Sequence, residues 1–238
     1  MRTTHLRSRW LTLLVLCMAS ATTHAQTTPL RVLFVGNSYT YYHQMPQLVA
    51  ALAQAGGVAR PLEVRQETIP GTPLTRVLGT RGVRQAVLDN PWDVVVFQIM
   101  PYPWLDRPTD VANTLKEVVP AVRAQGGRPV YYLTWSGDAR PDPLVLDPKA
   151  YVELARVTGA LLAPAGKAWV LAKAAQPSLT LVDNDGHHPS PVGSLLAACV
   201  VYRTLFAEAG PCKVPEGANI SPEQMAVLDA AAAKALVP

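Results

Sequence analysis

The chain has 238 residues, 49% of them hydrophobic and 16% charged, with no internal repeat, low-complexity tract or linker. Its formal charge of +4 misleads, because three of its 21 Lys and Arg (Arg2, Arg7 and Arg9) fall in the first 25 residues, which hold no acid, leaving 18 basic against 17 acidic residues. Without a Lys/Arg cluster interleaved with aromatics, the rest of the chain argues against a nucleic-acid partner, and its length fits one domain with a substantial core.

The chain opens with Arg2, Arg7 and Arg9, an apolar run from Trp10 to Ala19, and small and polar residues ending Thr23-His24-Ala25. This order predicts a secretory signal peptide over 1–25, cleaved near Ala25-Gln26, and a mature domain over 26–238. The apolar run is about half of what a membrane-spanning helix needs, so no stable membrane insertion is expected after cleavage. Cys17 raises a lipoprotein alternative, but Leu16 stands before it, where a lipobox carries a small side chain. The predicted location is secreted or periplasmic, where Cys199 and Cys212 either pair across a short loop or stay as thiols.

Strand and helix signals then alternate. Leu30 to Val35 is an apolar, β-branched run that stops at Gly36-Asn37-Ser38, as a buried parallel strand does. A helical pattern from Gln44 to Ala55 ends at Gly56-Gly57, and Leu62 to Ile69 is a second strand closed by Pro70-Gly71. Asp93 to Gln98 is hydrophobic on both faces and predicts a central strand. A helix over Asp110 to Gln125, a strand over Pro129 to Leu133, a helix over Tyr151 to Val157 and a short strand over Ala160 to Ala163 follow. A last helix runs from Pro191 to Ala207. Such alternation predicts an α/β protein, a three-layer α/β/α sandwich around a flavodoxin-like parallel sheet of about five strands. Ser38, Gly71, Gln98 and Trp135 each lie just past or at a strand end, so one rim should gather them.

Two segments carry chemistry. Ser38 sits where the first strand turns into a helix, a position that exposes a hydroxyl or merely caps the helix. Near the far end, Asp183-Asn184-Asp185-Gly186-His187-His188-Pro189 places a carboxylate three residues before an imidazole, with a glycine between them. A nucleophilic serine needs a base, and the base needs a partner that fixes its tautomer and stabilises the imidazolium. Asp185 and His188 supply both. Choosing His187 as base would leave Asn184 at that spacing, and an amide does not stabilise an imidazolium as a carboxylate does. The same loop could instead bind a metal or be a solvated helix cap, but no other His-rich segment adds ligands.

Gly36-Asn37-Ser38, Gly71 and Asp185-Gly186-His187-His188-Pro189 resemble, in order and spacing, blocks I, II and V of the SGNH (GDSL-like) hydrolases. The resemblance implies Ser38 as nucleophile, Asp185 and His188 as the rest of a triad, and an oxyanion hole that uses the Ser38 and Gly71 N–H groups. Two positions depart from the pattern. Asn37 replaces the usual block I Asp, and Phe97-Gln98-Ile99-Met100 replaces block III Gly-x-Asn-Asp, which makes Gln98 the candidate third oxyanion donor, as in divergent branches. Tyr39, Tyr102, Trp104 and Trp135 are candidate substrate-binding residues in an aromatic rim that also includes Tyr41 and Tyr42. The expected protein is an exported esterase acting on a small-molecule or polysaccharide ester, most simply acetyl or another short acyl group on carbohydrate, with no metal or organic cofactor. An O-acyltransferase using the same triad and a non-catalytic carbohydrate-binding protein are the alternatives.

Overall fold

The computed structural model describes residues 28–100, 102, 106–136 and 148–237. The leader, its cleavage site, Cys17 and Trp104 lie outside the described residues. Five strands, β1 (Leu30–Gly36), β2 (Leu62–Thr68), β3 (Val94–Ile99), β4 (Arg128–Leu133) and β5 (Leu161–Pro164), form one parallel sheet in the order β2-β1-β3-β4-β5. This is the flavodoxin-like order, in which the sheet reverses direction of growth between β1 and β3 and opens a crevice there.

Residues alternate between two cores because successive side chains of a strand point to opposite faces. Val32, Phe34, Val94, Val96, Val130 and Tyr132 face one core, while Leu33, Val35, Val95, Phe97, Tyr131 and Leu133 face the other. The first core is closed by α2 (Met45–Ala55), α7 (Ala165–Ala175), α8 (Pro191–Leu205) and α9 (Pro222–Ala235). The second is closed by α3 (Leu74–Gly79), α4 (Arg81–Leu88), α5 (Pro108–Ala124) and α6 (Lys149–Thr158). A single helical turn, α1 (Ser38–Tyr41), follows β1 directly.

The five strands match the sequence expectation, but α3, α4 and α7 lie in stretches left without an element, and α8 is not the last helix. That place belongs to α9, whose start is marked by a capping box in which Ser221 and Gln224 bond each other's backbone N–H. Its alanine-rich face packs against α7 and α8. Cys199 of α8 is disulfide-bonded to Cys212. Beside that bond, Asp229 of α9 takes two 2.6 Å hydrogen bonds from the Arg203 guanidinium and one of 2.6 Å from the Cys212 N–H. No described helix is long and apolar enough to cross a membrane.

Candidate active site

The turn after β1 is built around Asn37. Its Oδ1 accepts the Tyr39 N–H at 3.1 Å and so caps α1, while its Nδ2 donates to the Thr72 carbonyl at 2.9 Å. The second bond ties the segment carrying Ser38 to the loop that carries Gly71. An Asp here would accept but not donate, so the Asn at this position makes a link that the carboxylate of the usual block I does not.

Gln98 does not face the cleft. It follows Val94 and Val96 on the same face of β3, is 1% exposed, and its Oε1 accepts the Asn37 N–H at 2.8 Å. The Asn37 N–H requires an acceptor, which fixes the amide's orientation and leaves Nε2 buried without a protein partner among the described residues. The expectation that Gln98 donates to an oxyanion is therefore corrected: the amide supports the nucleophile turn from beneath. Gly36 makes this possible, since a Cβ there would lie 2.5 Å from both Gln98 Oε1 and Thr40 Oγ1.

The loop between α7 and α8 folds back on itself through an antiparallel bridge between Val182 and Pro189. Gly186 makes the reversal in the left-handed region, at φ 80°. Asp185 Oδ1 accepts the N–H groups of His187 (3.0 Å) and His188 (2.9 Å), and Oδ2 accepts from His188 Nδ1 at 2.5 Å. These bonds, the His187 N–H foremost, hold the Asp185 carboxyl well below the usual carboxylate range. An ionised carboxylate only accepts, so Nδ1 carries the imidazole proton and Nε2 presents its lone pair. Facing that lone pair at 2.8 Å is Ser38 Oγ. Ser38, 150 residues away in sequence, is thus aligned with His188 and Asp185 in one hydrogen-bonded chain.

An open cleft of about 540 Å³ lies in front of Ser38, lined by Tyr39, Tyr41, Tyr42, Gly71, Met100, Tyr102, His187 and His188 among others. Neither the Ser38 nor the Gly71 N–H has a backbone or side-chain acceptor among the described residues. Tyr39 lies largely buried in the cleft wall, its hydroxyl 3.5 Å from that of Tyr102, and burial pushes its phenol well above the usual range. Trp135 is another correction. Its indole is 1% exposed, stacked on Trp169 at 3.8 Å, and donates from Nε1 to the His187 carbonyl at 3.0 Å. It carries the His188 loop rather than a substrate, because its strand-end position is covered by α7 and that loop.

Sequence reasoning missed Asp106. This carboxylate is fully buried, accepts from Leu74 N (3.1 Å), Thr75 N (3.4 Å) and Thr75 Oγ1 (3.4 Å), and also takes the Met100 N–H. It joins the start of α3, three residues beyond Gly71, to the loop bearing Met100 and Tyr102. Burial raises its carboxyl above the ordinary value although the N–H groups pull it down. No local pattern marks it, since its Leu74 and Thr75 donors lie 32 and 31 residues away in the chain.

The residues offer poor prospects for a metal. Donor atoms of Asp185, His187 and His188 lie within 4.8 Å of one another, but both His188 nitrogens and both Asp185 oxygens are already engaged. In the second such group, Cys199 and Cys212 are spent on their disulfide, leaving only Asp229.

Comparison with known proteins adds to this geometry. Neither protein-family models nor curated protein sequences give a match. Among solved structures, a Slackia heliotrinireducens protein assigned to the SGNH hydrolases shares 31% identity, with 75% of this chain covering all of it at a TM-score of 0.59. This chain belongs to the SGNH hydrolases. A DUF4886 family protein from Bacteroides uniformis has the same fold at 19% identity, 88% of this chain matching 95% of that one with a TM-score of 0.64. So does an acetyl xylan esterase, AlAXEase, at 16% identity, 71% and 96% coverage and a TM-score of 0.58. As an SGNH-type serine hydrolase, the chain is an enzyme of the carboxylic ester hydrolase kind.

Proposed function

We propose that the enzyme is an exported esterase that removes short acyl groups, acetyl foremost, from carbohydrate by means of Ser38, His188 and Asp185. The observation that carries this proposal is the continuous chain from Ser38 Oγ to His188 Nε2 (2.8 Å) and from His188 Nδ1 to Asp185 Oδ2 (2.5 Å). His188 Nε2 takes the Ser38 proton as Oγ attacks the ester carbonyl, and the tetrahedral oxyanion accepts from the Ser38 and Gly71 N–H groups. The imidazolium, stabilised by Asp185, then protonates the departing alcohol. Water, deprotonated by His188, attacks the acyl-enzyme, and collapse of the second tetrahedral intermediate returns the proton to Ser38 Oγ and releases the acid.

Three features support the substrate and a fourth the location. The cleft lining holds no Lys, Arg, Asp or Glu side chain among the described residues, which suits a neutral ester. Its walls of Tyr39, Tyr41, Tyr42 and Tyr102 suit stacking on a sugar ring. One protein of the same fold is named for acetyl xylan, an ester of this class. The Cys199–Cys212 bond fits an oxidising compartment and agrees with the leader-like first 25 residues.

The test is acetate release from acetylated oligosaccharides and aryl acetates, compared with long-chain aryl esters, alongside labelling by a fluorophosphonate probe. Labelling at Ser38 with preference for acetyl esters is expected. Faster turnover of long acyl chains would overturn the substrate class, and an unlabelled native enzyme would overturn the nucleophile. Recovery of a 25-residue-shortened chain from the culture medium or periplasm tests export.

A further inference from the structure

We infer that Tyr42 is a positioning residue for the general base, its ring face stabilising the imidazolium that His188 becomes when it takes the Ser38 proton. The inference rests on the His188 role proposed above. The Tyr42 and His188 rings stack with centroids 4.1 Å apart and planes 5° from parallel. A neutral imidazole gains little from such contact beyond packing, whereas an imidazolium is attracted to the negative face of a phenol ring. Stabilisation therefore grows as the proton arrives, which is when it accelerates the reaction.

The chain departs from relaxed geometry to place this ring. His43 (φ 48°) and Gln44 (φ 54°) are consecutive non-glycine residues in the left-handed region, directly after Tyr42. Such a pair is costly and persists where surrounding contacts hold it. Those contacts tie the turn to the base from both sides. His43 Nε2–H donates to the carbonyl of Pro189, the residue after His188, at 3.0 Å. Ser194 Oγ of α8 donates to the Tyr42 carbonyl at 3.3 Å, and the Tyr42 N–H bonds the Ser38 carbonyl. Tyr42 is thereby fastened to the nucleophile's helix, the base's loop and α8 together.

The other ionisable groups around His188 are the Asp185 carboxylate at Nδ1, the His187 ring at 4.1 Å and 40°, and the Tyr39 ring at 5.8 Å and 45°. Among the described residues, the Tyr42 ring alone lies parallel to it.

The experiment measures kcat/KM against pH for the native enzyme, Tyr42→Leu and Tyr42→Phe on an aryl acetate. Tyr42→Leu should lower kcat/KM about 3- to 30-fold and move the acid limb to lower pH by about half a unit or more. Tyr42→Phe, which keeps the aromatic face, should hold the acid limb at its native position. Should the Leu variant fail to fold, fluorinated phenylalanines at position 42 keep the shape while weakening the ring face, and the limb should fall stepwise with fluorination. An acid limb that stays put or rises in the Leu variant or the fluorinated series overturns the inference, since lost packing alone would hydrate the imidazolium and favour it. His188→Ala separates the two levels. Native probe labelling in that variant removes the triad and this role with it, whereas lost labelling beside an unmoved Tyr42→Leu limb removes the Tyr42 role alone.

Discussion

Asp185 and Asp106 each gather backbone N–H groups around one carboxylate to shape the rim of the same cleft, yet they are displaced in opposite directions. Asp185, with its side chain 40% exposed, is hydrated as well as hydrogen-bonded, and its carboxyl falls below the ordinary range. Asp106 has comparable donors but is fully buried, and burial outweighs the donors. Hydrogen bonds to the charged form do not by themselves decide a carboxyl's acidity; what else solvates the charge does. The exposed acid is thus kept ionised to serve the base, while the buried one is committed to holding two rim loops together.

Removing each acid in turn separates their two roles. Asp185→Asn should lower kcat by about 10³- to 10⁴-fold with the fold intact, since the amide no longer fixes the tautomer or stabilises the imidazolium. Asp183→Asn should leave turnover within a few-fold of native, because the Asp183 side chain accepts the Asn184 N–H and its ties to His188 and Gly186 run through the backbone. Steady-state kinetics on an aryl acetate checks both, and similar losses would mean that the loop rather than the carboxylate is what matters.

Asp106→Ala should act on stability instead, costing about 3 kcal/mol by stranding the Leu74, Thr75 and Met100 N–H groups in a buried space. Urea unfolding measures it. Gln98→Leu should cost roughly 1–3 kcal/mol by stranding the Asn37 N–H.

The two acids also differ in the sign of their pH linkage. A carboxyl raised by folding contributes stability that is present at low pH and lost as pH rises, so the advantage of native enzyme over Asp106→Asn should shrink as pH rises above the ordinary carboxylate range. A carboxyl lowered by folding contributes above its unfolded value and loses that contribution as pH falls through the lower, folded one. The advantage over Asp185→Asn should therefore grow as pH rises through the ordinary carboxylate range. Parallel unfolding curves at several pH values test the pair, and slopes of the same sign would break the contrast.

The smallest expected effect lies at the turn beneath Tyr42. Gln44→Gly should stabilise the protein by up to about 1 kcal/mol, because glycine enters the left-handed region without a Cβ penalty. A lower melting temperature in that variant would show the turn to be unstrained.

Features that depend on neighbours along the chain are legible in the amino-acid order. Five strand runs with their parity, the strand-end position of Ser38, and a carboxylate three residues from an imidazole across Gly186 are all local, and the triad geometry follows once β1 and the loop between α7 and α8 meet. The disulfide stood open in the sequence, because a spacing of 13 residues permits a bond without requiring one. What depends on which element covers a strand end is settled by packing. Gln98 and Trp135 both occupy rim positions by sequence, but the nucleophile turn covers one and Trp169 with the His188 loop covers the other. Tyr42 meets His188, and Asp106 meets Leu74 and Thr75, only because chain crossovers bring distant segments together. A residue's exposure and partners are properties of that packing, and no periodicity along the chain encodes them.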